Sequence, residues 1–264
     1  MKKIISNIIL LLLTIVCIVC IYEIAIWYMN NKHNKDLSKE LNSMANITET
    51  DTGKKYNKPK NKFDPYWDFI NYSLINVDFE KLLKYNPDTV GWINMNESNI
   101  NYPVVQTSNN KFYLTHSYDQ SYNDAGWVFM DYHNNPKEFD RNTTIYAHSR
   151  IDRSMFGTLR KATQKSWFNN KENHIIKFST PEENTLWLIF SSYIIKNETY
   201  YIKTAFKDND EYQEWLESMK KRSMFDYKTE VNTNDKVLTL SSCYNSSGSI
   251  KTAIHAKLIK VEKR

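Results

Sequence analysis

Hydrophobic and polar positions follow three different rhythms along this chain. Residues 4–28 are almost wholly apolar, broken mainly by Ser6, Asn7, Thr14 and Glu23. About 20 such residues cross a bilayer as a helix, so this run predicts one N-terminal transmembrane helix. Residues 30–62 are rich in Asn, Lys, Ser and Thr. There NKDLSKELNSM could form a short helix, while TETDTGKKYNKPKNK reads as linker. The folded domain begins near residue 63. DFEKLLKYNP predicts a helix with Asp78 as cap, apolar Phe79, Leu82 and Leu83, and Pro87 as stop. Strand patterns then dominate: VGWINM, NINYPVVQ, GWVFMDY, NTTIYAH, HIIKFST, TLWLIFSSYIIK, KVLTLSS and KTAIHAKLIKV. Each is rich in β-branched or aromatic residues, with turn-formers between most of them. Eight strands are enough to close a barrel and remove exposed edges. Two helices interrupt them. SMFGTLRKA follows His148, and DNDEYQEWLESMKKR starts at a capping Asp208 and carries Tyr212, Trp215, Leu216 and Met219 on one stripe. The expected architecture is a mostly-β, eight-stranded barrel with peripheral helices.

Charge orients the apolar run only weakly, because Lys32 and Lys35 flank its other end. Lys2 and Lys3 precede it, and Trp27 and Tyr28 stand where an interfacial aromatic belt lies. The run is long for a cleaved signal peptide, and no A-x-A-like site follows it. An uncleaved anchor is therefore expected. This divides the chain into residues 1–29 as cytoplasmic tip and span, 30–62 as polar linker, and 63–264 as the folded domain. With the short N-terminal tail inside, the domain lies outside the cell on a single-pass membrane protein.

Composition narrows the chemistry. The 264 residues carry a formal net charge of +5 and five glycines. No dense basic block stands beside stacking aromatics, which argues against nucleic acid as a partner, and no glycine-rich phosphate loop occurs. The three cysteines are Cys17, Cys20 and Cys243. The first two lie inside the apolar run, where the bilayer would bury both as small hydrophobes. Cys243 is thus the sole cysteine of the outer domain, placed where the strand pattern of TLSS ends. A cysteine nucleophile needs an acid–base partner, usually histidine. His148 ends the strand TTIYAH at a loop, a favourable place for catalysis. His116, His133 and His174 have surface roles as their default, and His255, inside a strand, is expected to be packed or half-exposed. Position favours His148. The histidines lack H-x-x-x-H or H-E-x-x-H spacing, so neither metal nor cofactor is expected.

Several segments together resemble one family, the sortases, and within it class B. TLSSC looks like the family's T-L-x-T-C strand end that carries the nucleophile. TIYAHSRIDRSMFGTLRK is similar to its histidine segment. VGWINMNESNINYPVVQTSNNKFYLTH and AGWVFMDYHNN resemble the class B stretches V-G-W-I…I-x-Y-P-V-V-Q…Y-L and A-G-x-I-F-x-D-Y. The likeness spans about residues 78–260 in the family's order. It implies a membrane-anchored cysteine transpeptidase of Gram-positive bacteria on an eight-stranded barrel, in which Cys243 attacks the Thr carbonyl of a C-terminal sorting signal on a secreted protein. His148 would protonate the leaving amine and later deprotonate a peptidoglycan amine, a precursor or cross-bridge, that resolves the thioacyl enzyme. Ser241, Ser242 and Tyr244, flanking the nucleophile, would face the substrate. Three positions depart from the pattern. Ser242 replaces a Thr and Ala147 a Gly, the second a mild change unless that backbone needs positive φ. Lys251 stands where the family has an Arg, keeping the charge without the planar fork; the resemblance gives it the arginine's catalytic role. Lys251 also keeps open an alternative, a catalytically inactive sortase-like binding module on a membrane anchor. A papain-like peptidase fits less well, because its cysteine typically precedes its histidine by a long stretch.

Overall fold

The computed structural model describes residues 2–50, 53, 55–59, 64–196, 198–243 and 250–264, the side chain of Cys243 excepted. The first element, α1 (Lys2–Ala45), is one uninterrupted helix of 44 residues. Its apolar part is exposed, and it alone among the described residues is long and apolar enough to cross a membrane. Its last turns bury Asn34, Leu37, Leu41 and Ala45, a spacing of three and four residues that lays one helical stripe on the barrel. The expected short helix over residues 34–44 is therefore a continuation of the span. Docking supplies the stability that its polar composition does not advertise. The helix stops at Asn46, whose φ of 40° is in the left-handed region that Asn tolerates. The Ala45 carbonyl accepts from the Asp78 N–H at 2.8 Å.

A small ribbon follows, β1 (Thr48–Thr50) antiparallel to β2 (Leu74–Asn76), with α2 (Tyr66–Phe69) between them. In α3 (Glu80–Tyr85) the Asp78 carboxylate accepts from the Glu80 N–H at 3.0 Å, close to the cap expected. The eight predicted strands are all present: β3 (Thr89–Met95), β4 (Asn101–Val105), β5 (Phe129–Met130), β6 (Asn142–Ala147), β7 (Ile175–Ser179), β8 (Glu183–Lys196), β9 (Val237–Cys243) and β10 (Ile250–Lys263). They close into a barrel in the order β10-β8-β7-β3-β4-β5-β6-β9. Neighbours are antiparallel except β4–β5 and β6–β9.

Two helices complete the barrel's outside, α4 (Lys165–Asn169) and α5 (Asn209–Arg222). Residues 154–162 do not form the helix expected there. The chain after His148 folds back, Phe156 N–H donating to the His148 carbonyl at 3.0 Å. A Cβ on Gly157 would stand 2.4 Å from the Arg150 carbonyl oxygen, so this return requires glycine. A 3-10 turn, Leu159–Thr163, and α4 come only afterwards. Strand alternation separates the barrel interior from the clusters on its outer face. Leu238, Leu240, Ile254 and Ala256 fill the barrel with Trp92, Phe178 and Trp187. On the outer face, Val237, Ala253 and Tyr193 pack under the predicted α5 stripe of Tyr212, Trp215, Leu216 and Met219. Asp208 caps α5, its carboxylate accepting from the Glu211 N–H at 2.9 Å.

Candidate active site

The register of three adjacent strands builds the site. Parallel pairing sets Thr144 beside Thr239, Tyr146 beside Ser241 and Ala147 beside Ser242. Antiparallel pairing sets His255 beside Thr239, Ala253 beside Ser241 and Lys251 beside Cys243. One further residue along β6 brings His148 level with Cys243. His148, Cys243 and Lys251 thus fall in one row across three strands, two rows beyond the one that holds His255. This is why a nucleophile candidate closes a strand: the barrel fixes its backbone between a histidine and a lysine that are 103 residues apart in sequence (148 and 251).

At this end of the barrel lies a cavity of about 250 Å³. Leu114, Phe129, Ala147 and Ile202 line it with apolar surface, and Asn110, Tyr146, His148, Ser241, Ser242 and Lys251 supply its polar groups. Four of the six residues expected at the site therefore share one wall. Cys243 is the last residue of β9, with only its backbone described, and Tyr244 lies outside the described residues. Mostly apolar walls carrying a few convergent polar groups suit an extended peptide. Ala147 has no positive φ, so its substitution for glycine is accommodated as ordinary strand.

His148 is half-buried, and its Nε2 stands 2.8 Å from the Leu114 carbonyl oxygen. A carbonyl only accepts, so Nε2 carries the hydrogen and Nδ1 is the nitrogen left to exchange a proton. The carbonyl is itself held from behind. Gly126, at φ 59°, lies so close that a Cβ there would be 2.8 Å from the Leu114 oxygen and 2.5 Å from that of Tyr113. The Gly126 carbonyl accepts from the buried Asn34 side chain of α1 at 3.1 Å. A second tie joins α1 to the histidine loop: Arg150 Nη2 donates to Asn31 Oδ1 at 2.5 Å.

Sequence reasoning missed Asn110, Leu114, Phe129, Tyr146 and Ile202. Tyr146 had a usable signal, since it is two residues before His148 on the same strand face. The others come from distant loops and a short strand. Tyr146 is fixed by the buried Asp131, whose Oδ2 accepts from the phenol at 2.8 Å and from Asn110 Nδ2 at 2.9 Å. Burial, with the Asp131 charge behind it, pushes the Tyr146 phenol well above its ordinary range.

His255 has the opposite setting. It is fully buried beneath α5, ringed by Phe190, Tyr193, Tyr201 and Trp215. Thr239 donates to Asn142 Oδ1 at 2.6 Å, and Asn142 Nδ2 to the Lys203 carbonyl at 2.9 Å. Thr239 must then accept from His255 Nδ1–H at 2.8 Å, leaving Nε2 to accept from Tyr193 at 2.8 Å. Burial pushes its pKa down to about 3. His174 is also buried rather than at the surface, with Nε2 2.8 Å from the Phe168 carbonyl oxygen and its pKa lowered by burial.

The sortase domain family matches residues 93–259. The chain belongs to the sortase family. It is 32% identical over 189 residues to sortase B of Staphylococcus aureus, covering 71% of this chain and 77% of that one. Among solved structures it is similar to B. anthracis sortase B in complex with AAEK1, with a TM-score of 0.71, 30% identity and coverage of 88% and 99%. It is also similar to a Staphylococcus aureus sortase B–substrate complex, with a TM-score of 0.65, 32% identity and coverage of 69% and 84%. These likenesses make the chain a sortase B-type cysteine transpeptidase. The sortase's long apolar helix is a candidate membrane anchor for it.

Proposed function

We propose that this sortase cleaves a C-terminal sorting signal of secreted proteins after Thr and joins the Thr carboxyl to a peptidoglycan amine. Cys243 sulfur attacks the Thr carbonyl carbon and the C–N bond breaks. His148 gives its proton to the departing amine, and a thioacyl enzyme remains. An incoming amine, losing its proton to the same imidazole, attacks the thioester carbonyl and releases the thiol. The exchange is split into two easier steps. Lys251 steadies the carbonyl oxygen as negative charge develops, and Ser241, Ser242 and Tyr244 contact the peptide. Residues 1–29 are the cytoplasmic tip and anchor, 30–62 connect it to the outer domain and 63–264 carry catalysis, with the domain on the extracellular side.

The observation that carries this reading is the row His148, Cys243, Lys251 across adjacent strands at the edge of one peptide-sized cavity. A Cys243→Ala variant should fold normally and cleave no signal peptide. A methanethiosulfonate should label the wild type and block turnover. Peptides varied at the first, third and fifth positions of the signal, read by mass spectrometry, should yield products ending in Thr. Normal cleavage by Cys243→Ala would end the proposal.

A further inference from the structure

Two loops clasp α1 just past its apolar part. Asn123 Nδ2 donates to the Asn30 carbonyl at 3.1 Å, and His33 Nε2 is 2.9 Å from an Asp119 carboxylate oxygen. Arg150 reaches Asn31 from the other loop. At 1.5 Å rise per residue, Asn30 and Asn31 stand only about 3–5 Å beyond Tyr28 along the helix. The headgroup layer of each leaflet is roughly 5–8 Å deep. With Trp27 and Tyr28 in the interfacial belt, both loops are held at headgroup depth, because no flexible segment separates span from clasp: α1 is helical throughout.

The same two loops carry the most exposed large apolar side chains among the described residues, those of the bare span included. Ile151 is 80% exposed and Tyr122 68%, against at most 66% within α1. Hydration of the Ile151 side chain is unfavourable, and Tyr122, whose hydroxyl donates to Asp124 at 2.6 Å, presents an apolar ring with a polar tip. The charges nearby are mixed, Lys32, Lys35, Arg150 and Arg153 against Asp36, Asp119, Asp124 and Asp152, so the surface does not call for a strongly anionic partner.

We infer that the loops at 119–124 and 150–154 form a membrane seat, with Ile151 and Tyr122 inserted at the headgroup–acyl boundary of the bilayer that α1 crosses. This rests on reading α1 as a membrane anchor. The seat would stop the barrel pivoting about the helix. His148 is two residues from Arg150, at most about 7 Å of chain, so the seat would also hold the cavity mouth at a set height above the lipid.

Full-length single-cysteine variants at Ile151, Tyr122, Trp27 and Glu214, with Cys17→Ser, Cys20→Ser and Cys243→Ala, would carry an environment-sensitive nitrobenzoxadiazole label. They would be placed in phosphatidylcholine–phosphatidylglycerol nanodiscs containing headgroup-spin-labelled lipid. Glu214, exposed on α5, is the control, since α5 packs on β8, β9 and β10 while α1 lies against β4, across the barrel order from them. Labels at 151 and 122 should be quenched by more than half, as at 27, while that at 214 is not. If 27 is quenched but 151 or 122 matches 214, the seat is wrong and the anchor stands. If 27 also escapes quenching, the anchor reading fails and the seat with it.

Discussion

His148 and His255 lie on the same outer barrel face, four residues apart along the strands, or about 13 Å at 3.3 Å per residue. Around His255 both ring nitrogens are answered. Tyr193, the imidazole, Thr239, Asn142 and the Lys203 carbonyl form one directional chain under the aromatic lid of α5. Around His148 the same strands are left unfinished. Nδ1 has no hydrogen-bond partner among the described residues, and no carboxylate among them pairs with Lys251. The buried Oγ of Ser242 has none either. A finished polar row makes a histidine part of the fold. An unfinished row beside a cavity leaves groups whose partners can come from a substrate.

Breaking the two histidines separately should separate those roles. His148→Ala should lose about 10²–10⁴-fold in turnover, the usual contribution of a positioned acid–base group, with little change in unfolding free energy. His255→Ala should keep turnover per folded molecule but lose roughly 2–4 kcal/mol, since it leaves a cavity and removes two buried hydrogen bonds, those with Thr239 and Tyr193. Peptide cleavage and urea denaturation measure the pair, and the reverse ranking would assign the histidines the other way round.

Lys251 tests whether the open row is catalytic as a row. An ammonium donates to one oxygen at a time, where a guanidinium holds two in a fixed plane. Lys251→Ala should cost about 10²–10³ in kcat, as for the loss of an oxyanion donor. Lys251→Arg should match or exceed wild type. Undiminished cleavage by Lys251→Ala would reduce the lysine to surface charge.

The same contrast explains what could be read from the chain. All eight strands were legible because β-branched and aromatic content between turn-formers is a local property, and the α5 stripe and its Asp208 cap were legible because they too are local. The docking of α1 was not. Its buried Asn34 is satisfied by Ser117, Asn123 and Gly126, all more than 80 positions away, and a buried Asn on a polar helix looks like solvent-facing surface. At the site, Cys243, His148 and Lys251 stood out through the family likeness and their places at strand ends. Leu114 could not stand out, since its part in holding His148 is played by a backbone carbonyl, which carries no side-chain identity.

Acid should weaken the finished row first. His255 has a folded pKa of about 3 against about 6.5 unfolded. It is neutral when folded, whereas the unfolded chain takes up a proton below about 6.5. Its contribution is therefore fully present above 6.5 and declines as pH falls toward 3. The slope is up to about 1.4 kcal/mol per pH unit, and His174, lowered by burial as well, adds in the same sense. Between pH 6.5 and 5, above the usual carboxylate range, denaturation midpoints should fall more steeply in the wild type than in His255→Gln. Parallel curves would remove His255 as the cause.

The smallest effect probes the row next to the unfinished one, Ala147, Ser242 and Thr252. Ser242 and its register partner Thr252 are 3% and 1% exposed, and neither hydroxyl has a hydrogen-bond partner among the described residues. A buried hydroxyl without a partner is a liability of about 1–3 kcal/mol relative to water. Ser242→Ala and Thr252→Val should therefore be neutral or stabilising by up to about 1 kcal/mol in urea. Their effects on cleavage should differ. Ser242 lines the cavity and Thr252 is not part of its wall, so a substrate group can complete only the first. Losing one neutral hydrogen bond of about 0.5–1.5 kcal/mol should raise KM for the best peptide roughly 2- to 12-fold in Ser242→Ala. Thr252→Val should leave KM unchanged. Equal KM values in both variants would take Ser242 out of the substrate contacts, and a clear loss of stability in Ser242→Ala would mean that its hydroxyl already has a partner within the fold.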